Sequence, residues 1–193
     1  MKISIIGTGM IATEVIKMLR NEAKGIEITS IFSHSNKQKA LTLAKENDID
    51  HIYTDYAQLL KEDDADFVYI ALVNNAHYTY VRQALEAQRN VIVEKPFTST
   101  LEEAKLLAQM ARERGLYLFE AVTPLHTPNF QLVKQSLKRI APIHFAQCNF
   151  SQYSSRYERY LQGDIAPAFN PELGGGALND LNVYNINIIV GLF

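Results

Sequence analysis

A lysine that could assist proton transfer follows a short apolar run near the middle of the chain. Residues 90–93 lead into Glu94, Lys95 and Pro96. Consecutive β-branched residues are typical of a strand buried on both faces, and open α/β sheets bind ligands beyond the carboxyl ends of their strands. A lysine at such an end can be held against a substrate hydroxyl by the fixed backbone of the proline. A surface ion pair ahead of a helix would use the same residues.

A second group of candidate residues lies close to the end of the sequence. Three consecutive glycines, 174–176, open a predicted helix that continues to residue 190. Asp180, Tyr184 and Asn187 recur on it at helical spacing and form one polar stripe. Polar side chains on a mostly apolar helix must face water or find partners. The two interpretations are a solvent-facing stripe and a site in which Asp180 and Tyr184 meet Lys95.

The first strand and helix of the chain are joined by a glycine-rich turn. Residues 7–12 read Gly-x-Gly-x-x-Ala between a predicted strand, 2–6, and a predicted helix that ends near residue 21. Gly7 permits the tight turn, Gly9 lets a pyrophosphate approach the backbone, and Ala12 lets helix and strand pack closely. Amide hydrogens at the helix start then bind the phosphates. Methyl-donor-binding folds use the same loop, so it does not choose the cofactor by itself. The predicted binding residues are Gly7, Thr8, Gly9, Met10 and Ile11.

The end of the second predicted strand, residues 26–32, points to the phosphorylated cofactor. In a dinucleotide fold this position meets the adenosine ribose, where an acid holds the 2′-hydroxyl of NAD and basic or small polar residues tolerate the 2′-phosphate of NADP. No acid follows the strand here. The prediction is therefore NADP, with NAD as the alternative, and a methyl donor is disfavoured. A polar loop with a solvated lysine would look the same. The candidate residues are Ser33, His34, Ser35 and Lys37.

Further apolar runs at residues 51–53, 67–73, 90–93 and 116–122 complete a set of strands that alternate with helices. This alternation predicts an α/β fold, a Rossmann-type doubly wound parallel sheet, over residues 1–122. The polar residues after the fourth and fifth strands would lie beside the nicotinamide half of a dinucleotide. A histidine at a helix start is, however, more often bonded to backbone. The cofactor-binding residues predicted here are Asn74, His77, Glu94 and Lys95.

Past residue 122 the pattern changes, and we predict the beginning of a second, α+β domain over residues 123–193. A helix is expected over 129–139, and residues 142–152 alternate in places as a strand of a second sheet would. The following stretch is rich in hydroxyl and aromatic side chains, which suits a polar ligand pocket as well as an exposed loop. His126 and Arg156 are the candidate substrate contacts in this part.

Composition limits the compartment and the partners. The 193 residues have a formal charge of −2, so there is no basic excess to neutralise nucleic-acid phosphates. No apolar run has the length of a membrane span, and a secretory signal is not expected. Cys148 is the only cysteine, which excludes a disulfide framework and favours the reducing cytoplasm. The five histidines show no metal-ligand spacing, so we predict no metal site.

Taken together and in order, these motifs resemble those of the Gfo/Idh/MocA oxidoreductases, named for glucose–fructose oxidoreductase and inositol dehydrogenase. The matching residues are the fingerprint 7–12, Asn74 with His77, the Glu94-Lys95-Pro96 run, and the glycine-led helix with Asp180 and Tyr184. The resemblance implies a nicotinamide-dependent dehydrogenase acting on sugars, polyols, cyclitols or related diols.

The resemblance also implies roles for individual residues. Lys95 would be catalytic, with a commonly cis peptide bond to Pro96, and Asp180 would act beside it. Tyr184 would be the acid/base. A tyrosine in this place occurs in the glucose–fructose oxidoreductase and the dihydrodiol or xylose dehydrogenase branches, whereas inositol dehydrogenases have histidine. Lys95, Asp180 and Tyr184 would also contact the substrate.

The chain departs from the family pattern at several positions. Val73 stands where proline is usual, Asn182 where glycine is usual, and His34 where arginine is frequent. Family members continue well beyond this length and dimerise through an open sheet. The resemblance therefore implies a C-terminally truncated chain with an unfinished second sheet, and a dimer for the full-length form. The alternative function is a non-catalytic dinucleotide-binding or sensor protein, or an inactive fragment. Reduction of a linear tetrapyrrole by a related fold fits less well.

Overall fold

The chain is divided into two compact units. The computed structural model describes residues 1–140 and 142–193, and the units are Met1–Glu120 and Ala121–Phe193. The predicted domain limits, 1–122 and 123–193, place the boundary two residues later.

The first unit is built on a six-stranded sheet in the order β3-β2-β1-β4-β5-β6. The strand pairs β1–β2, β1–β4, β2–β3 and β4–β5 are parallel. The direction of winding reverses between β1 and β4, the switch point at which doubly wound sheets bind ligands. The predicted Rossmann-type sheet is thereby confirmed. The strands are β1 Lys2–Ile6, β2 Glu27–Phe32, β3 His51–Tyr53, β4 Phe67–Ile70, β5 Asn90–Glu94 and β6 Leu118–Ala121.

Helices connect successive strands of this sheet. They are α1 Met10–Glu22, α2 Lys37–Glu46, α3 Tyr56–Glu62, α4 His77–Glu86 and α5 Leu101–Arg114. α5 begins at a reciprocal capping box between Thr100 and Glu103 and ends at Gly115, whose φ of 65° is left-handed. Both are local signals that fix the ends of a helix.

The core of the first unit lies between the sheet and its helices. Ile70, Val91 and Val93 of the central strands have no exposed surface, and Leu85 of α4 and Leu107 of α5 pack against them. Each such side chain contributes about 1.5–3 kcal/mol through burial. This packing holds in place the central strands that end at the carboxyl edge of the sheet.

The second unit contains four helices and short 3-10 turns among its described residues. The helices are α6 Pro128–Ile140, α7 Tyr157–Leu161, α8 Ala177–Asp180 and α9 Asn182–Leu192. The predicted strand over residues 142–152 is wrong, because this segment forms neither helix nor strand. A strand is stabilised by backbone hydrogen bonds to a neighbour, and no described segment pairs with this one.

The glycine-led helix is interrupted, contrary to the prediction of one continuous helix to residue 190. Leu181 separates α8 from α9, with φ −110° and ψ −45°. Asparagine side chains cluster after the break: Asn185 Nδ2 donates to Asn182 Oδ1 at 3.2 Å, and Asn187 Nδ2 donates to the Val183 carbonyl at 2.9 Å. Such side chains compete with the helical backbone for partners. Asp180 and Tyr184 therefore lie on two helices.

Candidate active site

Gly7 is required by the fold itself. Its φ is +122°, and its N–H donates to the Phe32 carbonyl at 2.9 Å. A Cβ at this position would overlap the carbonyl oxygen of Ala71, the residue just after β4. The turn after β1 therefore approaches its neighbouring strand too closely for any side chain.

Gly9 stands at the start of α1 for a different reason. Its φ of −69° is open to every residue type, and apart from Gly9 and its two chain neighbours no protein atom lies within 4 Å of the place where its Cβ would be. No side chain caps the helix there. Helix N-termini with accessible backbone attract phosphates through their amide hydrogens and dipole. The residues present thus fit the pyrophosphate of a dinucleotide.

The loop after β2 is tied to the glycine-rich turn. Thr8 Oγ1 and Ser33 Oγ lie 3.5 Å apart, and Ser33 Oγ also accepts the N–H of Asn36 at 3.2 Å. Ser33 is buried, so it shapes the loop, whereas the predicted phosphate contacts His34, Ser35 and Lys37 are exposed. Sequence reasoning missed Asn36, whose side chain caps α2 by accepting the N–H of Lys39 at 2.9 Å.

His77 is fully buried at the start of α4. Its Nδ1 lies 2.8 Å from the Pro96 carbonyl and its Nε2 lies 3.2 Å from the Leu72 carbonyl. Burial lowers the pKa of His77 and favours the neutral ring. A side chain with no exposed surface cannot touch a cofactor, so its predicted role there is limited to the backbone it holds. Asn74 is half-buried in the 3-10 turn just before α4.

Glu94 closes β5 and is fixed by the strand beside it. Its Oε1 accepts the Tyr69 hydroxyl at 2.5 Å, and its Oε2 accepts the Lys95 N–H at 3.3 Å. Burial and the charge of Glu94 raise the pKa of Tyr69, which therefore stays a proton donor. The Lys95–Pro96 bond is cis, as the family resemblance implied.

Glu120, in β6, is a functional candidate that sequence reasoning missed. Its Oε1 accepts the N–H of Phe97 at 2.9 Å. Burial raises the pKa of Glu120, the Phe97 bond lowers it, and the charge of Glu94 raises it further. The one available signal was an acid within an apolar strand, which implies a buried partner.

The other predicted catalytic residues belong to the second unit. Asp180 ends α8, and Tyr184 lies in the first turn of α9 with its ring centroid 4.5 Å from that of Phe150. The loop before α8 packs closely on its own unit, because a Cβ on Gly175 would overlap the Pro167 carbonyl. Among the predicted site residues, Lys95 and the cofactor-binding set belong to the first unit.

The predicted substrate contacts also belong to the second unit. His126 is exposed at the end of a 3-10 turn, Thr123–His126, and Arg156 is half-buried just before α7. Within the described part of the chain, no helix is long and apolar enough to cross a bilayer. The same residues include no group of three or more His, Cys, Asp or Glu side chains placed to hold a metal ion.

Known proteins similar to this chain include dehydrogenases named for NADP(+). Over 192 residues the chain is 31% identical to scyllo-inositol 2-dehydrogenase (NADP(+)) IolU of Bacillus subtilis, a match that covers 100% of this chain and 58% of the relative. It is 30% identical over 198 residues to D-xylose 1-dehydrogenase (NADP(+)) of Hypocrea jecorina, covering 95% and 51% respectively. The chain thus spans about half the length of these relatives. Both substrate branches, inositol and xylose, occur among them.

Solved structures share the fold. Scyllo-inositol dehydrogenase from Lactobacillus casei, with bound NAD(H) and scyllo-inositol, superimposes with a TM-score of 0.80 at 17% identity, covering 99% of this chain and 55% of that one. Residues 1–122 match the family model described as an oxidoreductase family with an NAD-binding Rossmann fold. The chain therefore belongs to the Gfo/Idh/MocA family of oxidoreductases.

Proposed function

We propose that the protein is an NAD(P)-dependent dehydrogenase or reductase that acts on a hydroxyl or carbonyl group of a sugar, polyol or diol. The observation that carries the proposal is the carboxyl edge of the sheet. There the open helix start at Gly9 follows β1, and the Lys95 loop follows β5, with only β4 between the two strands. Neighbouring strands lie about 5 Å apart, so the two features are about 10 Å apart across the sheet, within one dinucleotide.

The nicotinamide ring, when bound, would accept or supply the hydride. The Lys95 ammonium would stabilise the negative charge that develops on the substrate oxygen. Tyr184 would take the hydroxyl proton at its phenolic oxygen, and Asp180 would orient the group and balance the lysine charge. A tyrosine hydroxyl is a weak base at neutral pH unless a nearby positive charge stabilises its phenolate, which is the second role of Lys95. His126 and Arg156 would contact the substrate.

NADP is the proposed cofactor, with NAD as the alternative. The exposed side chains of His34, Ser35 and Lys37 can donate to a 2′-phosphate, and no carboxylate follows β2 to hold a 2′-hydroxyl. The names of the Bacillus and Hypocrea relatives include NADP(+), whereas the Lactobacillus structure contains NAD(H).

The proposal is tested first by binding and then by turnover. NADPH and NADH are titrated into the 193-residue chain and followed by nicotinamide fluorescence. Tighter binding of NADPH would support the loop after β2 as the phosphate site. Turnover is then measured with scyllo-inositol, D-xylose and a trans-dihydrodiol. Binding without turnover of any of them would favour the non-catalytic alternative, and binding of neither cofactor would contradict the proposal for this chain.

The Lys95→Ala variant tests whether Lys95 is needed for turnover rather than for cofactor binding. Loss of a positioned acid–base partner typically costs about 100- to 10,000-fold in turnover, and we expect a loss in this range while cofactor still binds. Lys105→Ala is the control, because Lys105 is an exposed lysine on α5. Wild-type turnover in Lys95→Ala, with cofactor bound, would contradict the scheme.

A further inference from the structure

We propose that His77 and Glu120 are positioning residues that hold the peptide group between Pro96 and Phe97 from its two ends, and so fix Lys95 for the reaction. The inference rests on the proposed function for its catalytic consequence, but the contacts stand without it.

One peptide group receives both bonds. The carbonyl of Pro96 lies 2.8 Å from His77 Nδ1, and the N–H of Phe97 donates to Glu120 Oε1 at 2.9 Å. The two side chains come from opposite sides of β5: His77 begins α4, which follows β4, and Glu120 lies in β6. The peptide is therefore held between two neighbours of the strand that carries Lys95.

The position of this peptide in the loop gives the contacts their consequence. Pro96 has no N–H, so the peptide after it is the first one beyond Lys95 that side chains can hold at both its carbonyl and its amide. On the other side of the lysine, Glu94 accepts the Lys95 N–H and is itself held by the Tyr69 hydroxyl. The backbone is thus tied down immediately before and immediately after the lysine.

Burial makes the two bonds specific. His77 has no exposed surface, and Glu120 is half-buried within an apolar strand. A buried polar group without a partner is costly, so Glu120 is held to the Phe97 N–H, whereas the His77 ring lies between two carbonyl groups, those of Pro96 and Leu72. A neutral histidine has one N–H. The shorter contact is at Nδ1, so the clamp requires the tautomer with its proton on Nδ1, donating to Pro96.

The contacts are tested by NMR on the 15N-labelled chain. We expect the Phe97 amide proton to resonate downfield in the wild type and to move upfield in Glu120→Ala. It should largely keep its position in Glu120→Gln, because the amide oxygen of glutamine still accepts. Long-range 15N spectra should show His77 with its proton on Nδ1. An unmoved Phe97 amide in Glu120→Ala, or a proton on Nε2 of His77, would overturn the proposal.

The positioning role is tested by kinetics with scyllo-inositol and NADP. Small misplacements of a catalytic group cost up to about 100-fold, so we expect kcat of Glu120→Ala to fall about 10- to 100-fold while NADPH affinity is kept. Glu120→Gln should restore most of kcat. Glu103→Ala is the matched control: Glu103 also accepts backbone amides, those of Ser99 and Thr100, but at the start of α5. Equal kcat in Glu120→Ala and Glu103→Ala would overturn the positioning role.

Failure of the proposed function and failure of the hydrogen-bonded contacts can be told apart. If the wild type turns over no substrate, the proposed function fails, and the Phe97 shift and the His77 tautomer still decide whether the peptide is held. If Glu120→Ala does not fold, the tautomer and the kcat of Glu120→Gln decide instead. A kcat of Glu120→Gln reduced as far as that of Lys95→Ala would then count against positioning through the hydrogen bond.

Discussion

Gly7 and Gly9 stand in the same turn, yet the structure gives them different reasons to be glycine. Gly7 is required by the approach of the Ala71 carbonyl and by its positive φ. Gly9 has ordinary φ and open space around its Cβ position, so no protein neighbour excludes a side chain there. The sequence motif alone does not separate the two reasons, whereas the geometry does.

Substitution by alanine should therefore impair stability at Gly7 and cofactor binding at Gly9. We expect Gly7→Ala to destabilise the fold by about 1–3 kcal/mol or more, through backbone strain and overlap. We expect Gly9→Ala to fold with nearly unchanged stability and to bind NADPH at least about tenfold more weakly, which corresponds to about 1.4 kcal/mol. Thermal unfolding and fluorescence titration measure the two effects. The assignment would be wrong if Gly9→Ala kept wild-type affinity.

The buried histidine should leave a signature in the pH dependence of stability. Because burial lowers the pKa of His77 in the folded protein, the unfolded chain takes up a proton near pH ~6.5 that the folded protein does not. The free energy of unfolding should therefore fall as the pH decreases from about 7 through this value. The fall should end once the lowered folded pKa is passed.

Urea unfolding of the wild type and of His77→Phe at several pH values checks this expectation. The wild type should lose stability relative to the variant on acidification. Glu120 works in the opposite sense: burial raises its pKa, so its contribution grows as the pH falls through its folded value. Comparison with Glu120→Gln separates the two groups. Parallel curves for the wild type and His77→Phe would argue against a neutral, buried ring.

At the scale of elements, local signals were sufficient to locate the six strands of the first unit to within about three residues. α5 has a capping box at one end and a left-handed glycine at the other, and both are encoded within a few residues. Residues 142–152 show the limit of such signals. Their alternating pattern predicts a strand, but a strand also needs a neighbour to pair with, and no described segment pairs with this one. Likewise, Glu120 was missed because its partner, Phe97, lies 23 residues away in sequence.

A buried carboxylate at the end of α3 joins two neighbouring strands of the first unit. Asp63, just before β4, accepts the hydroxyls of Ser4 in β1 and Thr29 in β2, both at 2.9 Å, and the N–H of Ala65 at 2.8 Å. Its neighbour Asp64 instead forms an exposed ion pair with Lys2. The neighbours Asp63 and Asp64 thus allow a buried hydrogen-bond network to be compared with an exposed ion pair.

We expect Asp63→Ala to lower the free energy of unfolding by about 2–3 kcal/mol, because it leaves buried donors without an acceptor. Asp64→Ala should change stability little, since exposed ion pairs contribute little and are screened by salt. Urea unfolding of both variants decides the matter. Equal losses would mean that the hydroxyl network between β1 and β2 adds no more stability than an exposed ion pair.

At the scale of the whole molecule, the two units differ in how much apolar surface they bury. In the first unit, the central strands and the helices that cover them share a continuous core. In the second, the described residues of α6, α7, α8 and α9 include no buried side chain. Val190 of α9 is 73% exposed and Leu178 of α8 is 72% exposed. Helices in water obtain most of their stability from such packing, so the second unit should be the less stable part.

Hydrogen exchange measures this difference directly, and α5 and α9 are suited to the comparison because both are helices of more than two turns. Leu107 and Ala111 anchor α5 in the core, whereas no residue of α9 is buried. We expect the amides of α5, β4 and β5 to exchange only through global unfolding, and those of α6 and α9 to exchange through lower-energy local opening.

Equal protection of α5 and α9 would require a cover for the apolar side chains of α9. Loss of that protection on dilution would identify the cover as a second copy of the chain, in line with the dimer that the family resemblance implies, because only association between chains depends on protein concentration.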